Sequence, residues 1–240
     1  ILAYTHGQPA QPTTWGHYLG AFIEILQRDV ERITVARSSS ELCSMGAAAI
    51  TTTGFNLDRK RMSDLLGFAA PLENSYGCIS SVDYVTGLYS ALKVMFLNMG
   101  RFIQDLAQRS AFEVGHIYVP NEFVQISSIM PQKRNPVPIE HMRLIASLSS
   151  GHCDTIINTM HNTPFTDMND SETEVQRAGH QAFESGSRLL LLLTDFINVV
   201  QIDEEKVMKD IGKSCATITE VADSIARIEG VSFKIAHEIA

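Results

Sequence analysis

The stretch from Ser127 to Pro136, SSIMPQKRNP, gathers two hydroxyls (Ser127, Ser128), two amides (Gln132, Asn135) and two cations (Lys133, Arg134). Cations and amides of this kind can hold a carboxylate. A hydroxyl among them can exchange a proton if its surroundings stabilise the oxyanion. Pro131, Pro136 and the following Pro138, with no long apolar run between them, make the stretch a loop that leads into a helix. Loops of dense, varied polar chemistry between apolar helices usually carry function rather than packing. Three further clusters have similar chemistry: Thr5-His6-Gly7-Gln8, Asn74-Ser75 with Ser80 and Asp83, and the segment Asn162 to Asn169. Each falls at an expected helix end, where backbone groups are unpaired and ligands can bind.

The elements that must position these clusters are helical. Leu19, Phe22, Ile23, Leu26, Val30 and Ile33 recur at steps of three and four, which predicts a helix from about residue 14 to 37. Thr13-Thr14 lies at its start, and Arg28, Asp29, Glu31 and Arg32 fall on its polar face. Residues 38–57 are small and loop-like. Asp58 caps a short helix that Gly67 stops. Tyr84, Leu88, Leu92, Met95, Met99, Ile103 and Leu106 predict a helix over about 80–108, broadened by Val85, Tyr89, Phe96 and Phe102 into the wide stripe of a bundle helix. Residues 109–137 form a long loop, a length that is uncommon without function. Asn135 is read as the N-cap of the next helix, with Pro136 and Pro138 in its first turn. Ser171-Glu172-Thr173-Glu174 reads as a capping box that starts a helix to about residue 200. No strand-type alternation of any length occurs, so the chain is all-α, with three or four helices well above the usual length.

Composition narrows the function classes. At 240 residues with 45% apolar and 19% charged side chains, the chain can bury a sizeable core. A net charge of -8 argues against a nucleic-acid partner bound by a broad basic face. No apolar run approaches a membrane span, so no membrane partner is expected. Cys43, Cys78, Cys153 and Cys215 are widely spaced with no CxxC, which argues against a zinc site and for reduced thiols in a cytoplasm. The acidic run Asp167, Asp170, Glu172, Glu174 lacks calcium-loop spacing and suits the first turn of a helix, so no metal is expected. The chain begins without methionine and ends inside a helical pattern, the expectation for a piece of a longer protein.

Residues 126–136, ISSIMPQKRNP, resemble the fumarase/aspartase superfamily, whose loop reads approximately GSSxMPxKxNP. Thr5 to Pro12, THGQPAQP, resembles the superfamily's THxQxAxP. Within the superfamily the pattern is nearest to the argininosuccinate lyases, through Asp58-Arg59, Leu65 to Phe68, Glu73-Asn74-Ser75, Ser80, Asp83-Tyr84, Met130 to Lys133 and Gly230 to Phe233. The resemblance implies an all-α, long-helix bundle forming the core of a homotetramer whose active sites are shared between subunits. It places the central helical domain at residues 1–202, with the N-terminal domain missing, and the start of a small C-terminal helical domain at 203–240.

The resemblance also implies a carbon–nitrogen lyase that eliminates fumarate from a small N-succinyl amino compound without a cofactor. Foremost is argininosuccinate, cleaved to arginine and fumarate in arginine biosynthesis. Ser127 matches the base that removes a Cβ proton. Lys133 and Asn135 match groups that bind the carboxylate and the charged intermediate. His6 and Glu140 match a pair that manages the proton of the departing nitrogen. Thr5, Asn74 and Ser75 match carboxylate ligands, and Ser128 and Gln132 match loop or substrate contacts. Taken singly, these residues also have plain roles: Ser127, Ser128 and His6 as turn residues, Asn135 as a cap, Glu140 as a first-turn acid.

Three positions depart from the pattern. Ile126 replaces a glycine, Ser81-Val82 stand where argininosuccinate lyases have Asp-Arg, and Pro164 to Asp170 replaces a segment carrying tyrosine and lysines. The elimination machinery is complete and the amine side is altered. A different N-succinyl amine, of the ethylenediamine-disuccinate type or adenylosuccinate, is therefore the alternative substrate. A non-enzymatic crystallin-like protein and a cycloisomerase acting on a carboxylated muconate are the other readings of the same fold.

Overall fold

Four long helices dominate the computed structural model, which describes residues 1–240. They are α1 (Trp15–Ser38), α4 (Asp83–Ser110), α5 (Val137–Met160) and α6 (Glu172–Val199), of 24, 28, 24 and 28 residues. Shorter helices are α2 (Arg59–Leu66), α3 (Gly77–Ser80), α7 (Glu204–Lys213), α8 (Ile218–Glu229) and α9 (Phe233–Ile239). The fold is all-α, and what strand there is comes as four two-stranded pairs. β1 (Leu2–Thr5) pairs antiparallel with β2 (Gln8–Pro12), and β3 (Leu42–Cys43) parallel with β4 (Ala70–Pro71). β5 (Ile117–Tyr118) pairs with β8 (Gln201–Ile202), and β6 (Gln125–Ile126) with β7 (Arg134–Asn135), both antiparallel.

Local chemistry sets several boundaries. Asp58 accepts from the Arg61 amide at 2.9 Å and opens α2, and Gly67 closes it in the left-handed conformation at φ 78. Asp203 opens α7 in the same way through the Lys206 amide. Three expectations need correction. The long helix expected from about residue 80 begins at Asp83, because Ser81 is extended and separates it from α3. Asn135 is not the N-cap of α5: it lies in β7 opposite Gln125, and α5 begins at Val137, with the Ile139 amide on the Pro136 carbonyl. The expected structureless loop 109–137 contains β5, β6, β7 and a 3-10 turn at Asn121–Phe123.

By residue, the chain divides into two compact units: 1–23, 105–139 and 196–240 in the first, 24–104 and 140–195 in the second. The second unit buries Leu92, Met95, Phe96 and Met99 of α4 with Met142 and Ile156 of α5 and Ala182 and Leu189 of α6. Gly186 lets α6 approach α4 closely: a Cβ there would sit 2.6 Å from Phe96 Cζ. Asp29, assigned to the polar face of α1, is instead buried. Its carboxylate accepts from Asn98 Nδ2 at 3.0 and 3.2 Å and pairs with Arg32, which meets the cost of burying the charge. The first unit buries Leu2, Leu106, Ile117, Ile139 and Phe196, with Arg109 and His116. Apolar side chains also remain outward on the second unit, among them Val30, Val35, Leu144, Leu148 and Leu191.

Candidate active site

The loop that opened the sequence argument is a closed hairpin in the first unit. Gln125 pairs with Asn135 and Ile126 with Arg134, leaving residues 127–133 as the connecting turn. Ile126, where a glycine was expected, is thus an ordinary strand residue, 73% exposed. The Ser127 hydroxyl oxygen accepts from two backbone amides, Met130 at 3.0 Å and Ile129 at 3.3 Å. The Lys133 amide donates to the Met130 carbonyl at 2.9 Å, while its ammonium makes no ion pair or hydrogen bond within the chain. Arg134 anchors the hairpin: it donates to the Val119 carbonyl at 2.7 Å and lies 4.4 Å over the Tyr118 ring. Ser128, Gln132 and Lys133 are exposed, and Ser127 and Asn135 are partly so. Two converging N–H donors are the arrangement that stabilises an oxyanion at Ser127 Oγ.

A second hairpin of the same unit presents Thr5 and His6. Thr5 pairs with Gln8, and His6 and Gly7 occupy the turn with φ of 53 and 74. Two positive φ values suit the two-residue turn that matches strand twist, and they hold His6 outward at the tip. The hairpin is anchored from below by Arg109, which donates to the Leu2 carbonyl at 3.1 Å and to Asp105 at 2.8 Å. Tyr18 donates to the same carboxylate at 2.6 Å, and burial followed by that bond pushes its phenol pKa upward.

The second unit carries the remaining candidates. Asn74 Oδ1 accepts from the amides of Tyr76 and Gly77 at 2.9 and 3.0 Å, so this side chain shapes the start of α3 and leaves its amide nitrogen outward. Ser75 follows it, half-buried. Arg59 supports the segment from behind through the Met45 and Glu73 carbonyls, both at 3.1 Å, and Cys78 Sγ. Glu140 is exposed in the first turn of α5. The candidates therefore stand as three in-unit groups: Ser127, Ser128, Gln132, Lys133 and Asn135 on one hairpin, Thr5 and His6 on another, and Asn74 with Ser75 on a capped turn. Glu140 stands apart from these on α5.

Arg59, Arg109 and Arg134 are positioning residues. Arg59 and Arg134 lie in stretches singled out from the sequence, but nothing local marks any of the three as an anchor. The partners of Arg109 and Arg134 lie 107 and 15 residues away, and only the fold brings them together. No three or more His, Cys, Asp or Glu side chains converge as metal ligands. No helix is long and apolar enough to cross a membrane.

Comparison with known proteins follows the same residues. The sequence profile of the Lyase family matches residues 1–150. Argininosuccinate lyase 2 of Agrobacterium fabrum is 62% identical over 240 residues, covering all of this chain and 48% of the relative. Argininosuccinate lyase of Methanococcus maripaludis is 32% identical over 241 residues, covering 99% of this chain and 49% of the relative. The chain thus spans about half the length of the curated relatives it matches. Among solved structures, EDDS lyase in complex with formate superposes with a TM-score of 0.82 at 27% identity, over all of this chain and 47% of that one. A class II fumarase from Schistosoma mansoni, at 18% identity, shares the fold with a TM-score of 0.79, over 99% of this chain and 53% of that one.

Proposed function

The chain belongs to the Lyase family of the fumarase/aspartase superfamily, and from that membership we propose that it carries the core of a carbon–nitrogen lyase releasing fumarate from an N-succinyl amino compound. The observation that carries the reading is the Ser127 hydroxyl, held by two backbone amides beside a lysine with no ion partner. Ser127 acts as its alkoxide, the form those two amides stabilise, and its Oγ takes a proton from the succinyl Cβ. The electron pair left on carbon spreads into the adjacent carboxylate, where Lys133 and Asn135 supply compensating charge and donors. The C–N bond then breaks, its pair passing to nitrogen, and a proton managed by His6 and Glu140 completes the amine. Thr5, Asn74 and Ser75 bind the carboxylates, with Ser128 and Gln132 as loop or substrate contacts. The scheme calls for no cofactor.

The relatives' names favour argininosuccinate as substrate, with arginine and fumarate as products, and a place in arginine biosynthesis. The likeness to EDDS lyase, with the altered segment at residues 164–170, supports the second reading, in which the amine half differs. The outward apolar side chains of the second unit support a homotetramer with shared sites, since such faces are normally covered. Residues 1–202 are assigned to the central helical domain and 203–240 to the start of the C-terminal one. Four free cysteines suit a cytoplasmic location.

Ser127→Ala in the full-length protein tests the reading. Fumarate formation, followed by ultraviolet absorbance, is expected to fall about 10²–10⁴-fold while substrate still binds. Fumarate release at the parent rate would overturn the serine assignment.

A further inference from the structure

Strand β5 is only two residues long, yet both hairpins that carry site candidates rest against its ends. At its leading end His116 is fully buried, with its ring centre 5.8 Å from that of Tyr4. Tyr4 directly precedes Thr5 and His6 on the first hairpin. At the trailing end the Val119 carbonyl accepts from Arg134 at 2.7 Å, and the Arg134 guanidinium lies over the Tyr118 ring. Arg134 belongs to β7, so this contact carries the hairpin that presents Ser127. The consecutive residues 116–119 therefore support two hairpins that are far apart in sequence and lie in the same unit.

These residues are themselves fixed from the other side. Ile117 pairs with Ile202 and Tyr118 with Gln201, and the Asp203 amide donates to the His116 carbonyl at 3.1 Å. Asp203 opens α7, and that helix returns one side-chain contact: Asp210 Oδ2 lies 3.2 Å from His116 Nε2. Lys206, at 2.7 Å, holds the Asp210 pKa below the usual carboxylate value, so the carboxylate is ionised and only accepts. The imidazole proton therefore sits on Nε2. Nδ1 is then a bare lone pair, buried without a partner, and a second proton there would have nothing to donate to. Asp210 and Lys206 on α7, Tyr4 on β1 and Arg109 on α4 are the titratable and charged groups around the ring. Lys206 is occupied by Asp210, and Arg109 by the Leu2 carbonyl and Asp105. The ring is thus held neutral, in one tautomer and one orientation. All of these contacts lie inside one unit of one chain, so they hold whichever subunits complete each site.

We propose that His116 is a positioning residue for the reaction: clamped to α7 by Asp210, it fixes residues 116–119 and through them sets the Thr5-His6 turn and the Ser127 hairpin together. This rests on the lyase reading above and adds to it a residue that touches no substrate. Two properties of the side chain are separable. Its ring packs on Tyr4, and its Nε2–H ties β5 to α7. Phenylalanine keeps a ring and loses the donor, whereas glutamine places an N–H where Nε2 was.

The test uses the full-length protein and whichever of argininosuccinate and ethylenediamine-disuccinate the parent cleaves faster, with fumarate followed by absorbance. His116→Phe is expected to lower kcat about 10–10²-fold in protein that circular dichroism shows to be folded at the assay temperature, because small displacements of reacting groups are costly. His116→Gln is expected to recover kcat to within a few-fold of the parent. Should the phenylalanine variant not fold, Asp210→Ala opens the same clamp from the α7 side and is expected to lower kcat over the same range. Parent kcat in folded His116→Phe or Asp210→Ala protein overturns the proposal and leaves the lyase reading standing. So does a His116→Gln variant no faster than His116→Phe. Absence of fumarate from the parent on both substrates overturns the lyase reading, and the proposal with it.

Discussion

Residues 127–133 and 162–170 are both exposed polar segments between long helices, yet they are built in opposite ways. The first is closed by the two residue pairs of β6 with β7 and backed by Arg134, and its groups are donors: two amides on Ser127 Oγ and an unpaired Lys133 ammonium. The second is fastened to its neighbour by Tyr76 against Phe165 and presents acceptors, with Asp167 lining a cavity of about 480 Å³ between residues 79–89 and 160–176. Charge that develops during a reaction needs donors already in place, because reorganising them at that moment costs the advantage. A leaving group only has to be accommodated, and a lightly fastened loop can change composition without disturbing the rest. The contrast explains how one chain can keep the superfamily's loop pattern at the first segment and depart from the argininosuccinate lyase pattern at the second.

The largest expected effect that could break this contrast is at Lys133. Lys133→Met should lower kcat about 10²–10³-fold. Its thermal unfolding temperature should match the parent, since the ammonium has no partner to lose. A parallel fall in stability would make the lysine structural. Arg134→Met removes the bond to the Val119 carbonyl and should cost about 1–3 kcal/mol by denaturant titration. Its activity loss should exceed what unfolding explains, if the hairpin presents Ser127.

On the other segment, Gly179→Ala should cost about 1–3 kcal/mol, because the new Cβ collides with the Tyr89 hydroxyl that faces the cavity. KM should rise while the chemistry at Ser127 is untouched. Tyr76→Phe should cost about 0.5–1.5 kcal/mol through the lost bond to Phe165 and raise KM with kcat nearly constant.

The smallest effect concerns pH. His116 is fully buried, its Nε2 3.2 Å from Asp210 with Nδ1 unpaired, and burial lowers its pKa below 6.5 in spite of that carboxylate. The unfolded chain therefore binds the proton first as pH falls below about 6.5, and stability declines from there towards the lowered folded value. Asp210, held low chiefly by the Lys206 ammonium at 2.7 Å, adds a loss of the same sign below about pH 4. Unfolding midpoints at pH 7 and 5.5 check the first step. His116→Gln should flatten it.

The helices were legible because their signals are local. The 3.6-residue recurrence in α4 and the Asp58 and Gly67 caps of α2 need only neighbouring residues to act. The polar loop at residues 127–136 was legible by composition. The β6–β7 pair was not, since two-residue strands carry no alternation to read. Nor was the burial of Asp29, whose amide partner Asn98 lies 69 residues along the chain. The helix α7 passed unread in a stretch short of apolar periodicity, although Asp203 caps it much as Asp58 caps α2.

By itself, then, the sequence determined the all-α character, the limits of the long helices α1, α4 and α6 to within a few residues, and the chemistry available at Ser127, Lys133 and His6. Tertiary structure alone decided where that chemistry points. Ser127 accepts two amides because strands β6 and β7 close the loop, and the His6 turn is held by an arginine 103 positions away in the chain. The cavity with acids and no cation exists because residues 79–89 and 160–176 fold against one another. Periodicity and capping are nearest-neighbour effects written into the chain, whereas hydrogen bonds and charge balance across a fold depend on partners that sequence distance does not reveal.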